Sequence, residues 1–318
     1  MSSSAHDHHG SPGPARVREV SDGVFAYIQP DGTWFINNTG FLVASGGVTS
    51  IDTCSTERRT RSYLDAIAKT TPRPVRTLIN THHHGDHTHG NWLLPGATIV
   101  GHDRCRDEVL AAGKPHFPGL FSDVDWGEVN LAPPFLTYAQ SVTLYSDDLR
   151  CEVRYVGMPA HTNNDSIVWL PDRSVLFCGD LLFNGGTPFL LMGSVTGAIE
   201  VLENVIRPLS PRVIVPGHGD VCGPETIEAV LGYLRFVLAT AQRGKAAGLR
   251  PLEAARDTGL GQYEGLADPE RIVGNLHRAY ADLDAQAAGG DPGTPLNYPA
   301  ILAEMVTYNG GNPLTCLA

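Results

Sequence analysis

Apolar and polar positions change period several times along the chain, and each change predicts an element. Val24–Ile28 and residues 40–44 and 48–51 are short apolar runs. They are bounded by the turn residues Pro30-Asp31-Gly32 and Ser45-Gly46-Gly47, which predicts three strands. Residues 56–70 place Leu64, Ile67 and Ala68 on one face, as an amphipathic helix requires. Val75–Ile79 and residues 98–100 predict two more strands, and Asp103–Ala112 a helix. Residues 113–140 keep neither period, yet carry Phe117, Phe121, Trp126, Phe135 and Tyr138 among prolines. A loop of that length is a functional lid or is pinned to the core by its aromatics. The pattern alone leaves both open.

Strand texture returns at 149–156, Ser166–Leu170 and 175–178, the last two as a hairpin across Pro171-Asp172-Arg173-Ser174. Residues 199–206 and 226–242 read as helices on either side of an apolar strand, Val213–Val215. Three more helices are expected at Pro251–Asp257, 269–285 and 299–306. Strands followed by helices thus occur twice, an α/β layered pattern. The expected organisation is a mobile tail over 1–15, a main domain over 16–245 and a helical extension over 246–318 packed on it. No internal repeat at solenoid spacing is present.

Composition narrows the class. With 318 residues, 42% hydrophobic and 18% charged, the chain has the make-up of a soluble globular protein with a sizeable core. A formal net charge of −11 repels phosphate backbones, so no nucleic-acid partner is expected. No stretch approaches the roughly 18 apolar residues of a membrane span. The opening MSSSAHDHHGSPGPAR has no apolar segment of the secretory type, so a cytoplasmic location is expected. Its His6, His8 and His9 read as part of the tail rather than as a metal site. Cys54, Cys105, Cys151, Cys178, Cys222 and Cys316 are widely spaced, which predicts free thiols rather than a disulfide framework or zinc ribbon.

The strongest chemical signal is Thr81-His82-His83-His84-Gly85-Asp86-His87, which follows a predicted buried strand directly. Imidazole and carboxylate are ligands for Zn, Fe or Mn. Gly85 lets the backbone turn tightly, so that Asp86 and His87 can face His82 and His84. His83 and His89 read as subordinate.

This string resembles the HxHxDH motif of the metallo-β-lactamase superfamily, and further matches follow in the superfamily's order. They are His161 in Pro159-Ala160-His161-Thr162, Asp180 in Phe177-Cys178-Gly179-Asp180 and His218 in Pro216-Gly217-His218-Gly219, with Asp52 after Ile51. The resemblance covers about residues 20–240. It implies a four-layered αββα sandwich that gathers these strand ends at one edge. It also implies that His82, His84 and His161 hold one metal, Asp86, His87 and His218 a second, and Asp180 both. Asp52 would fix a ligand imidazole from behind. Two divalent transition metals are therefore expected, with zinc first and iron or manganese accepted by the same ligands. Such a pair lowers the pKa of water to about 7 and polarises a carbonyl or phosphoryl oxygen. Asp86 is then the catalytic carboxylate, orienting the nucleophile or taking its proton.

Within the superfamily, Asp180 together with His87 is similar to the glyoxalase II-like, lactonase and thioesterase branches. The common secreted β-lactamases carry Cys in place of Asp180, and flavodiiron oxidoreductases carry Glu in place of His84. A narrower resemblance is to the actinorhodin-type bifunctional cyclase/thioesterases of aromatic polyketide clusters. It rests on Trp34-Phe35-Ile36-Asn37-Asn38-Thr39-Gly40 and Asn184-Gly185-Gly186-Thr187-Pro188-Phe189. It implies a poly-β-ketone thioester on an acyl carrier protein, aldol ring closure and hydrolytic release. Trp34, Phe117, Phe121, Trp126, Phe183 and Phe189 would form a flat apolar wall. The expected function is thus a dinuclear hydrolase of acyl thioesters, in its narrowest form a cyclase/thioesterase. The alternatives are a generic thioesterase or lactonase, a mononuclear iron dioxygenase, and a non-catalytic scaffold, which would have lost ligands that this chain keeps. Gln262, Tyr263, His277 and Tyr280 are expected at the surface, and the C-terminal helices to shape access or homo-oligomer contacts.

Overall fold

Two β-sheets face each other across an apolar layer, and helices cover their outer faces. The computed structural model describes residues 13–30 and 32–318, so His6, His8 and His9 lie outside the described residues. The first sheet runs in chain order through β1 (Arg16–Ser21), β2 (Val24–Ile28), β3 (Thr39–Ala44), β4 (Gly47–Ile51), β5 (Val75–Ile79), β6 (Thr98–His102) and β7 (Leu136–Tyr138). Pairing is antiparallel from β1 to β4 and parallel from β4 to β7. The rest of the strands are β8 (Ser141–Ser146), β9 (Leu149–Tyr155), β10 (Ser166–Leu170), β11 (Val175–Phe177), β12 (Phe183–Asn184), β13 (Val213–Val215) and β14 (His218–Gly219). The second sheet has the order β13-β11-β10-β9-β8, and β12 and β14 form a short parallel pair beside it.

The layer between the sheets is made by Ile28, Leu42, Ile51 and Ile79 against Val153, Val168, Phe177 and Val215. Each such side chain contributes roughly 1.5–3 kcal/mol by leaving water. Gly40 lets the sheets close, because a Cβ there would lie 2.2 Å from the Phe177 ring. Outside the first sheet lies α1 (Glu57–Thr70), whose Tyr63 and Ile67 pack with Tyr27, Phe41 and Val48. Thr56 caps this helix by accepting from the Arg59 N–H. The single turn α2 (Gly85–Thr88) and helix α3 (Asp103–Ala112) follow. Outside the second sheet lie α4 (Val195–Val201) and α5 (Glu225–Ala246), joined to Ile167, Leu176 and Ile214 through Val201, Ile227, Leu231 and Leu234. Helices α6 (Pro251–Asp257), α7 (Arg271–Ala287) and α8 (Tyr298–Tyr308) add Ala254, Ile272, Leu276 and Met305 to that same cluster. This is the expected αββα sandwich with C-terminal helices.

The structure departs from the sequence expectations at several elements, among them the short strands β7, β12 and β14, which fall where no strand is expected. Strands β1 and β8 were not expected: both are edge strands, exposed along much of their length, and lack the continuous apolar run of an interior strand. The buried face of α1 is Thr60, Tyr63 and Ile67, with Ala68 exposed, so the apolar stripe is rotated from the expected one. Helix α4 starts at Val195, because Ser194 supplies a cap to Gly197, and runs into a π-helical turn over Leu202–Ile206. The segment 113–135 is irregular but tied down. The Ser122 N–H donates to the Leu314 carbonyl and the Leu314 N–H to the Leu120 carbonyl. All six cysteines are free. Among the described residues, no helix is long and apolar enough to cross a membrane.

Candidate metal centre

Five strands end on one edge of the sandwich, and each leads to an imidazole or carboxylate that is a metal-type group or supports one. Asp52 follows β4, His82 follows β5, His161 follows β9, Asp180 follows β11, and His218 lies just past β13. The α2 turn then brings Asp86 and His87 back over His82. Two groups of ligand atoms result, His82, His84, His161 and Asp180 in one and Asp86, His87, Asp180 and His218 in the other. Within each, the atoms lie within 4.8 Å of one another.

Asp180 is common to both. Its Oδ2 is 3.3 Å from His161 Nε2, 3.9 Å from His82 Nε2 and 3.2 Å from His218 Nε2, and its Oδ1 is 3.0 Å from His87 Nε2. Asp86 Oδ2 lies 3.2 Å from His218 Nε2 and 3.6 Å from His87 Nε2. Gly217 permits this packing, since a Cβ there would stand 1.8 Å from Asp180 Oδ1.

The outward nitrogen of each ring is already committed. His87 donates Nδ1–H to Asp52 Oδ2 at 2.9 Å, and His218 donates Nδ1–H to the Gly32 carbonyl at 3.1 Å. His161 donates Nδ1–H to the Phe189 carbonyl at 2.5 Å. Thr81 spends its hydroxyl proton on Asp52 at 2.7 Å and so accepts from His82 Nδ1–H at 3.1 Å. His84 is reversed: its Nε2 rests 3.3 Å from the Met192 sulfur, and its Nδ1 faces inward. Asp52 sits at φ +61°, a left-handed backbone that costs a non-glycine residue about 1–2 kcal/mol. It is held there by the Thr81 N–H, which donates to Oδ1 at 2.8 Å.

With those protons assigned, lone pairs point at one another. His161 Nε2 and His84 Nδ1 are 2.8 Å apart, which is repulsive unless a cation or proton lies between them. His82 Nε2, His87 Nε2 and Asp180 Oδ1 are buried and none makes a hydrogen bond of good geometry, although His87 Nε2 and Asp180 Oδ1 lie only 3.0 Å apart. Orphaned polar atoms that converge in this way fit a metal site. The electrostatics agree. Burial alone would lower His87 and His218, but Asp180 and Asp86 outweigh it, holding His87 well above the usual imidazole range and pushing His218 up to about 9. Burial, reinforced by neighbouring imidazoles, drops His82 and His84 well below it. Burial would raise Asp180, yet His218, His87 and His161 bring it well below the usual carboxylate range. The cluster thus carries negative charge that protons balance and that divalent cations would balance in their place.

The six aromatic residues expected to form a wall do not all take that role. Phe183 is buried and lies parallel to the His218 ring with centroids 4.9 Å apart, backing that imidazole. Trp34 meets Phe121 and Phe189 edge-on, and Phe117 and Trp126 join through Phe35. The tip of Trp34 donates to Glu270 at 2.6 Å, and the Arg271 guanidinium sits 4.1 Å above its ring. His83 accepts from Asn164, and His89 faces the Ser55 carbonyl, so neither joins the cluster. His277 pairs with Glu304, Tyr280 donates to the Leu249 carbonyl and Tyr263 packs on Phe236, outside the cluster as expected. A cavity of about 640 Å³ lies between α1 and β1–β2, lined by Arg58, Arg59 and Lys69 but by no residue of the cluster. Sequence reading missed Met192, Glu270 and Arg271. The charged positions recurring on one face of the 269–285 helix were the signal available for Arg271.

Comparisons with known proteins agree with this geometry. The family model for the metallo-beta-lactamase superfamily matches residues 32–218. The chain is 26% identical over 220 residues to the metallo-beta-lactamase type 2 of Bacteroides fragilis, spanning 67% of this chain and 82% of the relative. It is 30% identical over 226 residues to the hydroxyacylglutathione hydrolase of Methylococcus capsulatus, spanning 69% and 74%. A metallo-beta-lactamase structure from Pontibacter korlensis matches with a TM-score of 0.59 at 19% identity, over 70% of this chain and 99% of that one, a likeness of fold.

Proposed function

This chain belongs to the metallo-β-lactamase superfamily, and from that premise we propose that it is a dinuclear metallohydrolase of acyl thioesters. The observation that carries the proposal is Asp180, one buried carboxylate within reach of both imidazole groups. His82, His84, His161 and Asp180 would hold one ion, and Asp86, His87, His218 and Asp180 the other. Zinc suits these ligands, and iron and manganese share them. When bound, the pair supplies Lewis acidity and water activated near neutral pH. Asp86 is kept ionised despite its burial by His87 and His218, which suits it to orient water or accept its proton. Asp52 holds the His87 ring in the tautomer whose Nε2 is free. A thiolate leaving group has a pKa near 8.5, so the site needs no strong acid opposite the nucleophile.

Thioester chemistry is supported by the hydroxyacylglutathione hydrolase relative, whose name describes hydrolysis of a thioester. The narrower form of the proposal is an aromatic polyketide thioester on an acyl carrier protein, with aldol ring closure before release, in the cytoplasm. The aromatic group that joins Trp34 and Phe189 to the edge of the cluster supports it. The test is a hydrolysis panel on protein with measured metal content: thioesters with aliphatic, hydroxyacyl and aromatic polyketone groups, a lactone series and a β-lactam. Two metal equivalents and fastest turnover of thioesters are expected, with Asp180→Ala losing one metal and most activity. Fastest turnover of the lactone or the β-lactam overturns the thioester assignment. Preference for aliphatic groups overturns only the polyketide form.

A further inference from the structure

One face of α7 carries four buried polar side chains, Arg271, Asn275, Arg278 and Asp282, at the spacing of successive helical turns. They bind, in order, the irregular stretch from Thr187 to Ser194 and the first turn of α4. Arg271 donates to the Thr187 carbonyl at 2.8 Å. Asn275 donates to the Pro188 carbonyl at 2.7 Å and accepts from the Leu190 N–H at 2.9 Å. Arg278 grips the Leu191 carbonyl through Nε at 3.2 Å and a terminal nitrogen at 3.0 Å. Asp282 accepts from Ser194 Oγ at 2.9 Å and from the Val195 N–H at 2.8 Å. A stretch without regular structure thereby has its buried backbone groups satisfied by helix side chains.

Two residues of that stretch touch the cluster. The Phe189 carbonyl accepts from His161, and the Met192 sulfur meets His84. Each lies between backbone groups that α7 holds. Both ligands belong to the three-histidine half of the centre. The other half rests on other groups, His87 on Asp52 and His218 on the Gly32 carbonyl and the Phe183 ring; α7 reaches it only through Arg271, which lies 5.4 Å from the centre of that ring, and not through Asn275 or Arg278.

We infer that α7 is the outer support of the three-histidine half of the metal centre, with Asn275 and Arg278 as positioning residues for His161 and His84. This rests on the two-metal reading above. These contacts also pair buried backbone groups and so serve stability; what points beyond that is that the two residues they bracket, Phe189 and Met192, are the ones that meet His161 and His84. The role is also asymmetric. Loss of the Asn275 and Arg278 contacts should loosen one half of the centre and spare the other.

The test uses full-length protein loaded with cadmium and observed by cadmium NMR, together with stepwise metal titration against a chromogenic chelator. The wild type should show two resonances and two binding steps. Asn275→Asp keeps the acceptor for Leu190 but sets a carboxylate oxygen against the Pro188 carbonyl. It should shift or broaden one resonance and weaken one step by about 10–100-fold, leaving the other unchanged. Arg278→Lys, a milder change, should act on the same resonance in the same direction; it carries the test should Asn275→Asp not fold. Met192→Leu removes the sulfur contact and leaves α7 intact, and should move that resonance too. Equal weakening of both steps in folded variants, or unchanged spectra, overturns the inference while leaving the two-metal reading in place. A wild type that binds no metal overturns both.

Discussion

Adding one methyl group at Gly217 tests whether the position of Asp180 governs the site. A Cβ at 217 would lie 1.8 Å from Asp180 Oδ1, 2.8 Å from the Gly179 carbonyl carbon and 2.9 Å from the Asp180 nitrogen. The backbone cannot easily retreat, because the Gly217 N–H donates to Gly179 at 2.8 Å and its carbonyl accepts from Asn38 at 2.6 Å. The carboxylate must therefore move, and opening the contact to 3.0 Å displaces it by about 1.2 Å. Productive geometry tolerates about 0.5 Å. A misplacement near 1 Å can cost about 100-fold in rate, and overpacking adds about 1–3 kcal/mol of destabilisation. Gly217→Ala is expected to lose about 100-fold in kcat/KM on the best thioester and to bind less than two metals. Gly96→Ala, where a Cβ meets nothing within 4 Å, is the control and should behave as wild type. A folded Gly217→Ala protein with normal turnover and two metals would refute the reasoning.

Asp52→Asn keeps a side chain that accepts the left-handed backbone but removes the charge facing His87; metal affinity should fall by about 10–100-fold in a chelator competition, and an unchanged affinity counts against Asp52 as a support. Stripping metal with a chelator should lower Tm, because the inward-facing polar atoms lose their partner. Free zinc at 100 times its Kd should restore about 2.7 kcal/mol, and identical melts with and without metal would contradict a centre that binds only the folded chain. Tyr63→Phe deprives the Gly40 carbonyl and the Ser50 hydroxyl of a buried partner, and should cost about 1–3 kcal/mol in denaturant melts with kcat unchanged. A fall in kcat there would mean that the α1 side of the sheet is coupled to the site.

What could be read in advance follows from burial. Strands β2, β10 and β13 have the bounds the sequence suggested, since well-covered strands appear as nearly unbroken apolar runs. Edge strands β1 and β8 carry no such run and were illegible. Asp52, His82, His84, Asp86, His87, His161, Asp180 and His218 stood out because they fall in the loops that follow predicted strands, in the order of a known motif. Asn275 and Arg278 did not, because a polar residue on a helix reads as solvent-facing until the partner segment is known. The Phe183 ring was read as substrate wall for a similar reason: nothing in its sequence neighbourhood indicates that it lies on His218.

The buried polar face of α7 also has a consequence in time. A ribosome adding about 5–20 residues per second finishes every ligand by His218, but makes Asn275 and Arg278 on the order of several seconds later. During that interval the nascent chain holds all its metal-binding groups, yet lacks the support that orients His84 and His161. On the role proposed for α7, the three-histidine half is therefore not completed until α7 has emerged and docked.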